Sequence, residues 1–220
     1  MKQKKVLKML GAVALFTVFQ PIETLAKPTP IRISMKSQDW NLEYAKNMAP
    51  HPKATSPRSW EFRFPQYGNG YVAYLLQNVF EGSILGDSIF ADIRVTSTGT
   101  PEFEYKIGSN PCVSPAHVRF YIEKVFNNQS FVRWWATGDN AIELKPGVYR
   151  YRVALDPKEW SDTWGHNGNS SAAARRGFHQ TLRNPSRIGF TFGGGCFYGH
   201  GVAVSGGTAH FEVTRFGISH

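Results

Sequence analysis

From Trp60 onward the chain alternates between apolar and polar positions. Trp60, Phe62 and Phe64 fall on one side of an extended segment, Glu61 and Arg63 on the other, and Pro65 ends the run. A two-residue period of this kind is that of a half-buried strand. Residues 71–79 are apolar on both sides and read as a central strand, with a short helix as the other reading. Ile89, Ala91, Ile93 and Val95 then alternate with Phe90, Asp92, Arg94 and Thr96, up to a turn at residues 97–101. Further strands are expected over residues 103–107, 117–124, 130–136, 147–155, 188–192, 201–205 and 208–216. In the last, Ala209, Phe211 and Val213 share a side but Phe216 and Ile218 have the opposite phase, which predicts a bulge at Thr214 and Arg215.

One window has helical spacing. Phe178 and Leu182 sit four apart within residues 171–182, and Asn184 and Pro185 stop the helix. Short strands separated by Gly, Pro, Asn and Asp clusters predict an all-β fold, a jelly-roll β-sandwich with one short helix, and argue against βαβ units. The sandwich is expected over residues 59–220. Residues 27–58 carry Pro28, Pro30, Pro50, Pro52 and Pro57 and predict an irregular N-terminal arm, in which residues 31–35 could pair as an edge strand.

The first 26 residues follow a different pattern. Lys2, Lys4, Lys5 and Lys8 precede an apolar run over residues 9–19, and Thr24-Leu25-Ala26 offers small residues for cleavage before Lys27. That run is shorter than the roughly 20 residues of a membrane span. Residues 1–26 therefore read as a secretory signal peptide, against the alternatives of an uncleaved anchor or a buried strand. No second stretch is long enough to span a membrane, so the expected location is secreted, periplasmic or on the cell envelope. Oligomeric state is not encoded in any pattern here.

Export changes how charge and cysteine content are read. The 220-residue chain has a formal charge of +9, and loss of four Lys and Glu23 with the signal leaves +6. Lys and Arg are scattered, with no helix-turn-helix, zinc-finger or RNP pattern, so nucleic acid is not the expected partner. An acidic glycan or a membrane surface suits a basic protein outside the cell better. The two cysteines, Cys112 and Cys196, lie in turn-like sequence and are expected to form a disulfide in an oxidising compartment, with two buried free thiols as the alternative.

The segments Gly86-Asp87-Ser88-Ile89-Phe90-Ala91-Asp92-Ile93-Arg94-Val95, residues 147–157 followed by Trp160, residues 188–195 with Gly199-His200-Gly201, and residues 208–213 carry a resemblance. Over about residues 60–218 the chain resembles exported bacterial β-sandwich proteins related to galactose-binding-like domains and carbohydrate-binding modules. The resemblance implies a jelly roll and a carbohydrate ligand, and it includes no catalytic signature. It also implies a structural calcium near the first and last strands, for which the acidic residues present are Asp39, Asp87 and Glu212. No other cofactor is expected.

Strand parity nominates a binding face. If Val118, Phe120 and Ile122 fill the core, then His117, Arg119, Tyr121 and Glu123 point the other way. The same reasoning groups Arg133 with Trp135, and Arg150 with Arg152 opposite Tyr149 and Tyr151. Were these strands neighbours in one sheet, Arg119, Tyr121, Arg133, Trp135, Arg150 and Arg152 would form a basic, aromatic surface. Such a surface suits a sugar: aromatic planes pack on ring C–H groups, and Arg supplies forked donors to carboxylate or sulfate. An ordinary solvated sheet face would look the same.

The expected function is an exported, non-catalytic carbohydrate-binding domain whose partner is a polysaccharide or cell-surface glycan, with acidic polysaccharide favoured by the Arg content. One alternative is a structural or adhesive protein of the envelope or an extracellular assembly. Another is a polysaccharide lyase or hydrolase, in which His117, Arg119 and Tyr121 would act on a uronate. No Gly-x-Ser-x-Gly elbow or phosphate-binding loop is present, and no carboxylate pair stands out for glycoside hydrolysis. The seven histidines show no zinc-ligand spacing.

Overall fold

The computed structural model describes residues 33–78, 82–105, 115–127, 130–194 and 199–219. Both cysteines and residues 1–32 lie outside the described residues, and so do the disulfide and the signal peptide expected there. In chain order the strands are β1 (Trp40–Glu43), β2 (Lys53–Ser56), β3 (Ser59–Arg63), β4 (Tyr74–Asn78), β5 (Ser88–Tyr105), β6 (Ala116–Asn127), β7 (Ser130–Ala136), β8 (Ile142–Glu143), β9 (Gly147–Ala154), β10 (Trp160–Ser161), β11 (Arg187–Gly194) and β12 (Val202–Ser219). They form two antiparallel sheets packed face to face. One runs β1-β4-β11-β6-β7-β10, with β8 also on β6, and the other runs β2-β3-β12-β5-β9. This is the expected all-β sandwich.

The one α-helix among the described residues, α1 (Ala172–Arg183), starts where Ser171 Oγ accepts a hydrogen bond from the Ala174 N–H. That cap satisfies a first-turn donor that has no helical partner. Phe178 then docks edge-on against Trp134, at 5.2 Å between ring centroids, and lies 5.9 Å from Trp160.

Aromatic rings from both sheets fill the space between them. Phe120 of β6 stacks on Tyr151 of β9 at 4.0 Å and 8°, and Phe190 lies 5.6 Å from Phe211 across the two layers. Trp40 is 4.8 Å from Trp60 and 5.0 Å from Phe216, and its Nε1–H donates to the Ser34 carbonyl at 2.8 Å. The indole is thus buried with its one polar group satisfied.

Three expectations need correction. Residues 33–58 are not simply an irregular arm, because β1 is an edge strand of one sheet, β2 is an edge strand of the other, and Trp40 belongs to the core. Alternation was too short there to reveal strands of four residues. Residues 97–101 are not a chain-reversing turn, and residues 201–205 and 208–216 are not separate strands. Both regions belong to one 18-residue ladder between β5 and β12. The Gly99 and Gly206–Gly207 signals mark an irregularity inside it, with a register shift between Ser205 and Gly207. A Cβ on Gly99, at φ +73°, would come within 2.9 Å of the Gly206 carbonyl oxygen, so glycine is required for the strands to stay paired. The second register shift, between Val213 and Arg215, is the bulge expected from the change of phase.

If the N-terminal segment is integral to the fold, Trp40→Ala should cost about 3–5 kcal/mol in urea unfolding. Lys36→Ala, on the same segment but exposed, should change it by less than about 0.5 kcal/mol. Equal stability of the two variants would mean that β1 is dispensable.

Candidate functional site

The nominated residues divide between two surfaces on opposite sides of the sandwich. On the seven-stranded sheet the register aligns Leu76, Gly189, Tyr121 and Trp135 across β4, β11, β6 and β7, and aligns Arg187, Glu123 and Arg133 one row further along. Arg119, Tyr121, Arg133 and Trp135 are therefore on one face, as parity requires. Arg150 and Arg152 are not. They belong to β9, which pairs with β5 in the other sheet and brings Arg150 opposite Asp92 and Arg152 opposite Phe90. The apolar rows explain this pairing: Tyr149, Tyr151 and Val153 continue the row of Ile93, Ala91 and Ile89, a match between segments more than 50 residues apart that strand order along the chain does not disclose.

The Tyr121 face is closed rather than open. Tyr121 is 1%, Arg119 2%, Glu123 2% and Trp135 5% exposed, so neither ring presents a plane to a ligand. Tyr74 and Trp135 flank Tyr121 at 5.1 and 5.2 Å. Gly189, between Leu76 and Tyr121, has no space for a Cβ against the Leu75 backbone. Glu123 is held by Arg133 Nε at 3.1 Å and Arg187 Nη1 at 3.5 Å, and Arg187 reaches on to Glu43 at 3.1 Å. A carboxylate this deeply buried is tolerable only because it is paired and hydrogen-bonded.

Protonation follows from the same burial. Burial pushes the Tyr74 phenol up to about 12, and burial with the nearby Glu123 charge raises Tyr121 further. Both phenols stay protonated at neutral pH. Burial also raises Glu43, against the attraction of Arg187. His117, at the end of the row, is depressed by burial and by Arg119, while the Pro115 carbonyl and Glu143 pull it upward. This network has the character of a fixed, internally neutralised structural charge cluster.

The outer face of the five-stranded sheet is open. Arg94, Arg150, Arg152 and Arg215 are all exposed on it. The guanidiniums of Arg152 and Arg215 lie 5.3 and 5.2 Å from the centre of the Phe90 ring, close enough for cation–π attraction. Arg94 Nε donates to Glu212 Oε2 at 2.7 Å, Arg215 pairs with Asp92 at 3.3 Å, and Arg152 donates to Ser219 Oγ at 3.0 Å. Arg150 makes no ion pair among the described residues. Arg94, Arg215 and Phe90 were not nominated from sequence, although the alternation of Phe90, Asp92 and Arg94 with buried neighbours already placed them outward.

At the β2–β3 end of this sheet lies a cleft of about 530 Å³. Met48, Phe62 and Phe64 contribute apolar lining, and Lys53, Arg63, His51, Glu61 and His210 contribute polar groups. Glu212 is engaged by Arg94 and Thr55, and no group of three or more His, Cys, Asp or Glu among the described residues is arranged to hold a metal ion. No helix among them is long and apolar enough to cross a membrane. No known protein family, curated protein or solved structure matches the chain.

The depressed His117 carries a signed pH effect. A histidine whose folded pKa lies below its unfolded value disfavours folding as it protonates, so stability is full above the ordinary histidine range and is lost as pH falls through and below it. Wild type should therefore lose more unfolding free energy than His117→Asn between pH 7.5 and pH 5.5, measured by urea titration at both values. Parallel losses would remove His117 from the account.

Proposed function

We propose that this chain is an exported, non-catalytic β-sandwich domain that binds an anionic polysaccharide across the outer face of its five-stranded sheet. The observation that carries this reading is the exposed set Arg94, Arg150, Arg152 and Arg215 around Phe90. The acids of these rows are Asp92, Glu212 and Glu61, fewer than the cations Lys53, Arg94, Arg150, Arg152 and Arg215, which leaves positive charge unmatched. Adjacent strands lie about 4.8 Å apart, so the face from β3 to β9 is roughly 14 Å wide, broad enough to meet several sugars of a chain at once. Carboxylate or sulfate groups would engage the guanidinium forks, and Phe90 would pack against ring C–H groups. Export rests on the pattern of residues 1–26, and the galactose-binding-like resemblance favours a glycan over other polyanions.

Trp164 favours a second reading. It is 82% exposed at the tip of a turn in which Asp162 Oδ1 accepts hydrogen bonds from the Trp164 and His166 N–H groups at 2.8 and 2.9 Å. A large apolar side chain held outward on an ordered turn suits protein contacts in an adhesive or structural assembly.

Titration with uronate and sulfated polysaccharides, with a neutral glucan as control, separates these readings. Wild type should bind the charged polymers, with affinity falling as salt rises. Arg150→Ala combined with Arg152→Ala should weaken binding by about tenfold or more while unfolding stability changes little. Absence of binding to every anionic polymer, or unchanged affinity in the double variant, would overturn the proposed face.

A further inference from the structure

The geometry points to the cleft beside β3 as a discrete site for one uronic acid unit, the terminal acidic sugar of a chain lying on the arginine face. This inference extends the polysaccharide reading, but its ligand is a single sugar and can be tested without the polymer.

The cleft exists because β2 stops early. Its pairing with β3 ends at Lys53 opposite Glu61, so the stretch from Phe62 to Gln66, paired with β12 on one side, has no strand on its β2 side, and the β1–β2 connection forms the facing wall there. That wall is held in place. Tyr44 and Asn47 have φ of 46° and 56°, a conformation that non-glycine residues adopt at an energetic cost, and the Asn47 side chain donates across the gap to the Asn69 carbonyl. About 530 Å³ falls within the roughly 300–1,000 Å³ of small-molecule sites.

The donor set selects the ligand class. Lys53 and Arg63 are exposed, line the cleft and make no ion pair among the described residues, which leaves both cations available to a carboxylate. Acceptors for hydroxyl groups stand beside them. His51 Nδ1 lies 2.8 Å from the Trp40 carbonyl and so carries the proton, which leaves Nε2 as an acceptor. Glu61 lies 3.6 Å from His210 and offers a carboxylate oxygen. Met48, Ala49 and Pro65, all at least partly exposed, supply the apolar lining on which a sugar ring can rest. Two cations, two acceptors and an apolar floor match a polyhydroxylated ring bearing one carboxylate better than they match a neutral sugar or a bare anion. Lys53 and Arg63 also lie on the outer side of the same sheet as Arg94 and Arg150, aligning the cleft with the end of the proposed polymer track.

Ligand-observed NMR on the full chain with free glucuronate and galacturonate tests the site, with glucose and acetate as controls. Wild type should bind a uronate at least tenfold more tightly than either control. Lys53→Ala combined with Arg63→Ala should weaken uronate binding at least tenfold, and Arg176→Ala, at an exposed position on α1, should leave it unchanged. No uronate binding by wild type, uronate binding no tighter than acetate, or full binding by the Lys53/Arg63 variant each overturns the inference. Uronate binding that survives when no polymer binds would support the cleft and sink the polymer face, whereas polymer binding without uronate binding would do the reverse.

Discussion

A strand can keep one side dry and the other wet along 18 residues only if every departure from the two-residue period is absorbed locally. The β5–β12 ladder meets this constraint with two register shifts. Before the second shift Phe211 and Val213 point inward, and after it Phe216 points inward as well, although it is three residues beyond Val213. The shift thus returns an aromatic ring to the core beside Trp40 and Phe120, and it sends Arg215 out to Asp92. Without it the last turn of the ladder would expose Phe216 and bury an arginine. The inward Phe216 and the outward Arg215 therefore have a common origin in one extra residue.

Two arginine populations follow from the two sheets. Arg133 and Arg187 spend their charge on the buried carboxylate of Glu123, where removing one partner would leave an uncompensated ion. Arg94 and Arg215 have acidic neighbours but stay exposed, and Arg150 faces solvent without an ion pair among the described residues. Exposed pairs are worth little to stability and remain available to exchange partners. An arginine in an alternating strand is thus informative about binding only once its sheet and its neighbours are known.

Much of the sandwich was legible because long strands repeat their period many times. Trp60, Phe62, Ile89, Ala91, Ile93, Phe211 and Val213 all point inward as their alternation implies, and Ser171 and Asn184 bound the helix. The short strands β1 and β2 span four residues each, too few to distinguish from proline-rich coil. Strand adjacency was also hidden. Parity says which residues share a side of a strand, whereas the partner of that strand is chosen by complementary apolar rows far away in sequence, and this is why Arg150 and Arg152 were grouped with Tyr121. The closure of the Tyr121 face was hidden for a related reason: it depends on Tyr74 and Gly189, contributed by other segments.

The same ladder constrains the order of events during folding. It joins residues 88–105 to residues 202–219, and β3 can enter the sheet only by pairing with β12. The five-stranded layer therefore has no centre until the C-terminal segment has been synthesised: β2 can pair with β3 and β5 with β9 earlier, but nothing joins the two pairs before β12. Long-range closure of this kind makes folding slow compared with locally connected topologies. During that interval the charges on the outward sides of β3, β5 and β9 oppose premature edge-to-edge association. The arginines of the finished outer face would first serve to keep the incomplete chain from pairing with its own copies.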